Sequence, residues 1–154
     1  MPVANETSRK PVLFHGLRVG MYLYEHSYSQ DIILAGLLHD ILEDTQITLE
    51  ELRVGFGETV TKLIQASTKD DSIIKEERTE ELIKRCVGNG ENALIVKAAD
   101  ILDSFKWYDS QNNKSEIEYC MKNANAIFKY KPDNFTDPIF EELKGWQTKF
   151  STVS

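Results

Sequence analysis

The segment IILAGLLHDILEDT, residues 32–45, constrains this chain more than any other. Its first half is apolar almost all round, a pattern that predicts a helix at the centre of a packed interior. Its second half places His39, Asp40, Glu43 and Asp44 directly beyond that helix. Burying such groups without partners is costly, and clustered carboxylates repel one another. This end of the helix therefore faces water or meets something positive.

The remaining pattern is that of an all-α, single-domain helical bundle spanning 1–154. VLFHGLRVGMYLYEH (12–26) carries apolar groups at helical spacing behind Pro11, and Ser29 or Asp31 starts the helix that runs through IILAGLLHD. Thr48 with Glu51 forms a capping box for a short helix ending at Gly55 or Gly57, followed by a helix over 58–67. Further helices are predicted over 72–87, closing at GNG, and over 91–108. Another runs to about 130 from a second capping pattern, Ser115 with Glu118, and a last one follows Asp137-Pro138.

With 41% hydrophobic residues the chain has enough apolar material for one substantial core. A net charge of −7 argues against a nucleic-acid binder, although a local basic patch can still receive a small anion. No apolar window is long enough to span a membrane, and MPVANETSRK lacks the apolar core of a signal peptide. Cys86 and Cys120, spaced unlike a zinc motif, read as reduced, buried thiols, and together these features point to the cytoplasm.

Four polar residues lie inside apolar helical runs: His15, His39, Asp40 and Asp100. Singly, His15 is an ordinary hydrogen-bonded histidine, and Asp100 is a salt-bridge partner for Lys97 or Lys62. Together, two imidazoles and two carboxylates suit a divalent first-row metal with positions left open for water and substrate. Adjacent helical residues point about 100° apart, so His39 and Asp40 reach one ion only at a helix end. Glu43-Asp44-Thr45, read as a turn, provides one.

In this order, PVLFHGLRVG (11–20), HDILEDT (39–45) and KAADILDS (97–104) resemble the motifs of the HD superfamily of metal-dependent phosphohydrolases. More narrowly they are similar to the hydrolase domain of RelA/SpoT proteins and the stand-alone small alarmone hydrolases, over about residues 9–108. The resemblance implies that His15, His39, Asp40 and Asp100 are metal ligands, usually for manganese, and that Glu43 and Asp44 are the catalytic acidic pair. It implies removal of the 3′-pyrophosphate of guanosine tetra- or pentaphosphate. Arg9, Lys10, Lys69 and Ser104 are the candidate substrate-binding residues, with Lys97 serving either substrate or Asp100. Tyr22, Tyr24, Trp107 and Tyr108 are aromatic groups able to stack on a base or fill the core.

The departures are Gly16 for the family's proline, Ile101 for a basic residue, and Ser104, preceded by Asp103, for an asparagine. They leave the metal ligands intact and bear on specificity. Two other readings stand beside the leading one. The first is an HD phosphohydrolase acting on NADPH 2′-phosphate or a deoxynucleoside monophosphate. The second is a non-catalytic module binding an alarmone or a protein.

Overall fold

The computed structural model describes residues 11–151, which form helices and no strand. In chain order these are α1 (Val12–Glu25), α2 (Gln30–Leu38), α3 (Ile41–Asp44), α4 (Leu49–Ala66), a 3₁₀ turn (Lys75–Glu77), α5 (Arg78–Gly88), α6 (Glu91–Ser110), α7 (Lys114–Tyr130) and α8 (Pro138–Ser151). The all-α reading of the sequence is borne out.

The centre of the bundle is α6, which packs against α1, α2, α4, α5, α7 and α8. Leu94, Ile101, Leu102 and Phe105 on it are fully buried, each a side chain worth about 1.5–3 kcal/mol on burial. This corrects the expectation that α2 is central. Only Ile32, Ala35 and Gly36 of that helix are buried, while Leu34, Leu37 and Leu38 keep part of their surface at the margin.

What α2 does instead is cross α1 at very close range. A Cβ at Gly16 would lie 2.9 Å from the carbonyl oxygen of Leu37, a backbone atom that cannot swing aside, and one at Gly36 would collide with Leu23. Glycine at both places lets the helix carrying His15 lie against the helix ending at His39. The departure at Gly16 thus has a steric cause in this chain.

Other boundaries differ from expectation for local reasons. The capping box of Thr48 and Glu51 is present, and α4 bends at Gly57, whose φ of 90° is open to glycine. Asp70 accepts from the backbone N–H of Ser72 at 2.9 Å, so the chain turns there and α5 starts only after the 3₁₀ turn, later than residue 72. The N-cap of α7 is Asn113, which accepts from Glu116 N–H, in place of the expected Ser115 pairing. Asp137 accepts from Ile139 N–H and caps α8 as its position before Pro138 suggested. Cys86 and Cys120 are buried and form no disulfide. Trp146 and Phe150 stack on Phe105 and belong to the core's margin. Among the described residues no helix is long and apolar enough to cross a membrane.

Candidate metal centre

α2 ends at Leu38, and His39 and Asp40 form the break before α3. Asp40 leaves helical geometry at φ −94°, ψ 1°, and its carbonyl accepts from the N–H groups of Glu43 and Asp44. The residues expected to form a turn at 43–44 are one short helical turn. The break is what lets neighbouring side chains converge, as the sequence reading required.

His15, His39 and Asp100 are buried, from α1, the α2 end and α6, with one donor atom of each within 4.8 Å of the others. His15 Nε2 lies 3.1 Å from His39 Nε2 and 2.8 Å from Asp100 Oδ1, and His39 Nε2 lies 3.4 Å from that oxygen. Asp40 Oδ2 stands at the rim, 3.2 Å from His39 Nε2 and 3.9 Å from His15 Nε2.

The outer ring nitrogens are already engaged. His39 Nδ1 lies 2.6 Å from the Gly36 carbonyl oxygen, which can only accept. His15 Nδ1 lies 2.7 Å from Asp103 Oδ2. Each Nδ1 therefore carries the proton, and both Nε2 lone pairs point inward at each other and at carboxylate oxygens. Such a nest of acceptors holds together only around a cation. Ligand atoms about 2.1 Å from one ion lie roughly 3.0–3.5 Å apart, which matches the spacings here. The donor set fits a divalent metal.

Without a metal, a proton takes that place. Burial pushes the His39 imidazole pKa down, but Asp100 and then Asp40 outweigh it and raise it to about 10. Burial likewise opposes ionisation of Asp40, yet the hydrogen bond from His39 holds its carboxyl below the usual range. Lys97, itself buried, donates to Asp100 Oδ2 at 3.0 Å; burial would lower its pKa, and Asp100 reverses the shift upward. Of the two roles the sequence left open for Lys97, its hydrogen bond shows the support of Asp100, and it also lines the cavity beside the centre.

The centre opens through Asp40 and Asp100 into a cavity of about 490 Å³ that Glu43, Asp44 and Lys69 also line. Burial, and then the charge of Asp40, raises the Glu43 carboxyl pKa, and Lys69 Nζ approaches it to 3.8 Å. The same cavity is also lined by Lys75, Arg78 and Lys122, none of which the sequence reading singled out. Ser104 is fully buried and donates to the Asp100 carbonyl oxygen at 2.9 Å; it does not line this cavity. Arg9 and Lys10 lie outside the described residues. Of the aromatic candidates, Tyr108 is buried in the core, Tyr22 donates to Glu142, Trp107 lies under Arg18, and Tyr24 is exposed; none lines the cavity.

Asp103 and Arg18 are the residues at the centre that sequence reasoning missed. Asp103 accepts from Arg18 Nε at 2.8 Å and Nη2 at 2.9 Å as well as from His15. Burial works against its ionisation, but those donors hold its carboxyl below the ordinary range. Their signal was spacing: Arg18 stands three residues after His15, and Asp103 three after Asp100, each on the same helix face as a ligand.

An all-helical bundle with a buried imidazole–carboxylate cluster opening on a cavity lined by both acidic and basic side chains has the donor set of a helical metal-binding domain. The chain belongs to the HD domain family, whose model matches residues 3–129. It is 35% identical over 146 residues to a guanosine-3′,5′-bis(diphosphate) 3′-pyrophosphohydrolase of Aquifex aeolicus, a match covering 92% of this chain and 21% of that protein. It is 37% identical over 94 residues to the Danio rerio guanosine-3′,5′-bis(diphosphate) 3′-pyrophosphohydrolase MESH1, covering 60% of this chain and 52% of that one. The matches thus span about half or less of these curated relatives. Two solved structures share the fold. A Listeria monocytogenes EGD-e protein has a TM-score of 0.74 at 22% identity, covering 90% of this chain and 94% of its own. A metazoan orthologue of SpoT, described as hydrolysing ppGpp, has a TM-score of 0.72 at 21% identity, covering 94% and 84%.

Proposed function

We propose that this chain is a metal-dependent phosphohydrolase that removes the 3′-pyrophosphate of guanosine tetra- or pentaphosphate, giving GDP or GTP and pyrophosphate. The observation that carries the reading is one cavity lined both by Asp40, Glu43, Asp44 and Asp100 and by Lys75, Arg78 and Lys122. In a chain of net charge −7, basic side chains sharing a cavity with an acidic metal centre suit a ligand with phosphates at two ends. The names of the relatives support guanosine-3′,5′-bis(diphosphate) as that ligand.

His15, His39, Asp40 and Asp100 would hold the ion, with manganese favoured by the mixed imidazole and carboxylate donors and the family resemblance. When bound, a divalent ion supplies Lewis acidity, polarising a phosphoryl oxygen and making water a better nucleophile at neutral pH. Asp44, at the water boundary, orients the attacking water and accepts its proton. Glu43, whose carboxyl pKa is raised by burial and then by the charge of Asp40, donates a proton to the leaving ribose oxygen. Lys75, Arg78 and Lys122 neutralise the far phosphates, and Lys69 holds Glu43 in place. Buried thiols that form no disulfide fit work in the reducing cytoplasm.

The test is incubation of the purified protein and Mn²⁺ with guanosine tetraphosphate, NADPH and deoxynucleoside monophosphates in parallel. Release of pyrophosphate from guanosine tetraphosphate is expected. Orthophosphate from NADPH or a deoxymononucleotide, with no pyrophosphate, would transfer the chain to the second hydrolase reading. Tight binding of the alarmone with no product would make it a binding module.

A further inference from the structure

Asp103 is not in the cavity and touches no reacting group, yet its carboxylate is fully committed. Oδ1 accepts from Arg18 Nε, and Oδ2 accepts from both Arg18 Nη2 and His15 Nδ1. Arg18 is held in turn above the Trp107 ring, 5.0 Å from its centroid. The Asp103 side chain is 12% exposed and that of His15 fully buried, so little of this contact faces water. One face of α6 therefore supplies both Asp100, a donor to the centre, and Asp103, which reaches the back of a second donor on α1.

We propose that Asp103, clamped by Arg18, is a positioning residue that locks His15 in the Nδ1–H tautomer and so keeps its Nε2 lone pair on the metal. The proposal rests on reading the cluster as a divalent-metal site. Its logic is directional. An aspartate paired with a guanidinium can only accept from His15, whereas an asparagine has a single oxygen, and giving it to Arg18 Nε turns the amide N–H toward His15. That reversal moves the imidazole proton to Nε2, where it blocks metal. A plain tie between α1 and α6 would not depend on which way a proton faces.

The experiment compares Mn²⁺ binding by calorimetry in the parent, Asp103→Asn and Asp103→Glu, with long-range ¹H–¹⁵N spectra of the metal-free imidazoles. Asp103→Asn is expected to weaken Mn²⁺ binding about 10- to 100-fold, the usual cost of losing such an orienting partner, with metal-free melting within a few degrees of the parent. Asp103→Glu should recover part of the affinity, and His15 of the parent should report the Nδ1–H form. Equal affinity in parent and Asp103→Asn would overturn this proposal alone. A parent that binds no Mn²⁺ would overturn the metal reading and take this proposal with it. If Asp103→Asn fails to fold, the parent spectrum decides: an Nε2–H signal for His15 contradicts the proposal.

Discussion

The centre has two halves built to opposite specifications. The inner half, His15, His39, Asp100, Lys97 and Asp103, is buried or nearly so, and the partners of its ring nitrogens and carboxylates leave little freedom of orientation. The outer half, Glu43 and Asp44 with Lys69, sits on a short helical turn at the cavity wall with water at hand. Holding an ion needs lone pairs fixed in advance, which a low-dielectric interior with orienting hydrogen bonds provides. Moving a proton needs a group that can change its charge and still reach substrate, which a dry interior forbids. Damage to the inner half should therefore be felt in metal and stability, and damage to the outer half in turnover.

The largest effect belongs to the ligands. His39→Ala should abolish Mn²⁺ retention, checked by elemental analysis of the purified protein, and lower turnover by about a thousandfold or more. A variant that kept its metal would merge the two halves. Next comes Lys97→Met, which strips a buried carboxylate of its ion partner. Metal-free stability in urea should fall by about 3–5 kcal/mol, and saturating Mn²⁺ should recover part of it. A loss under about 1 kcal/mol would mean that Asp100 is not dependent on Lys97.

Among the basic residues lining the cavity, Lys75→Ala with Arg78→Ala should raise KM for guanosine tetraphosphate about tenfold while kcat and metal content hold. An unchanged KM would move the distal phosphates elsewhere. The smallest effect is in pH. His39 free of metal has its pKa raised to about 10, so its proton contributes stability fully present below its ordinary value of 6.5 and lost as pH rises through about 10. Metal must displace that proton. Calorimetry in buffers of differing ionisation enthalpy should show about one proton released per Mn²⁺ at pH 7.5, and affinity rising with pH; no release would place a neutral His39 in the metal-free centre.

The legible part of the molecule was where polar residues interrupt apolar helices. His15, His39 and Asp100 stood out because an interior cannot carry them alone, and HDILEDT stood out because charge follows a hydrophobic run. Arg18 and Asp103 did not, because charged residues at helical spacing normally face water, and only the crossing of α1 on α6 brings them together. Lys75, Arg78 and Lys122 come from the 3₁₀ turn, α5 and α7, so no local pattern announces the wall they make. The place of α2 was misread because an all-round apolar helix can lie at a margin when its neighbours are also apolar. The outward side of α1 is of that kind, with Leu13, Phe14, Leu17 and Met21 exposed.

The division of labour between the halves is tested most directly by one sample of Glu43→Gln/Asp44→Asn, assayed for bound Mn²⁺ and for pyrophosphate release from guanosine tetraphosphate. The account predicts metal content equal to the parent's, with turnover lower by about a hundredfold or more. Turnover within a few-fold of the parent, with metal retained, would contradict it.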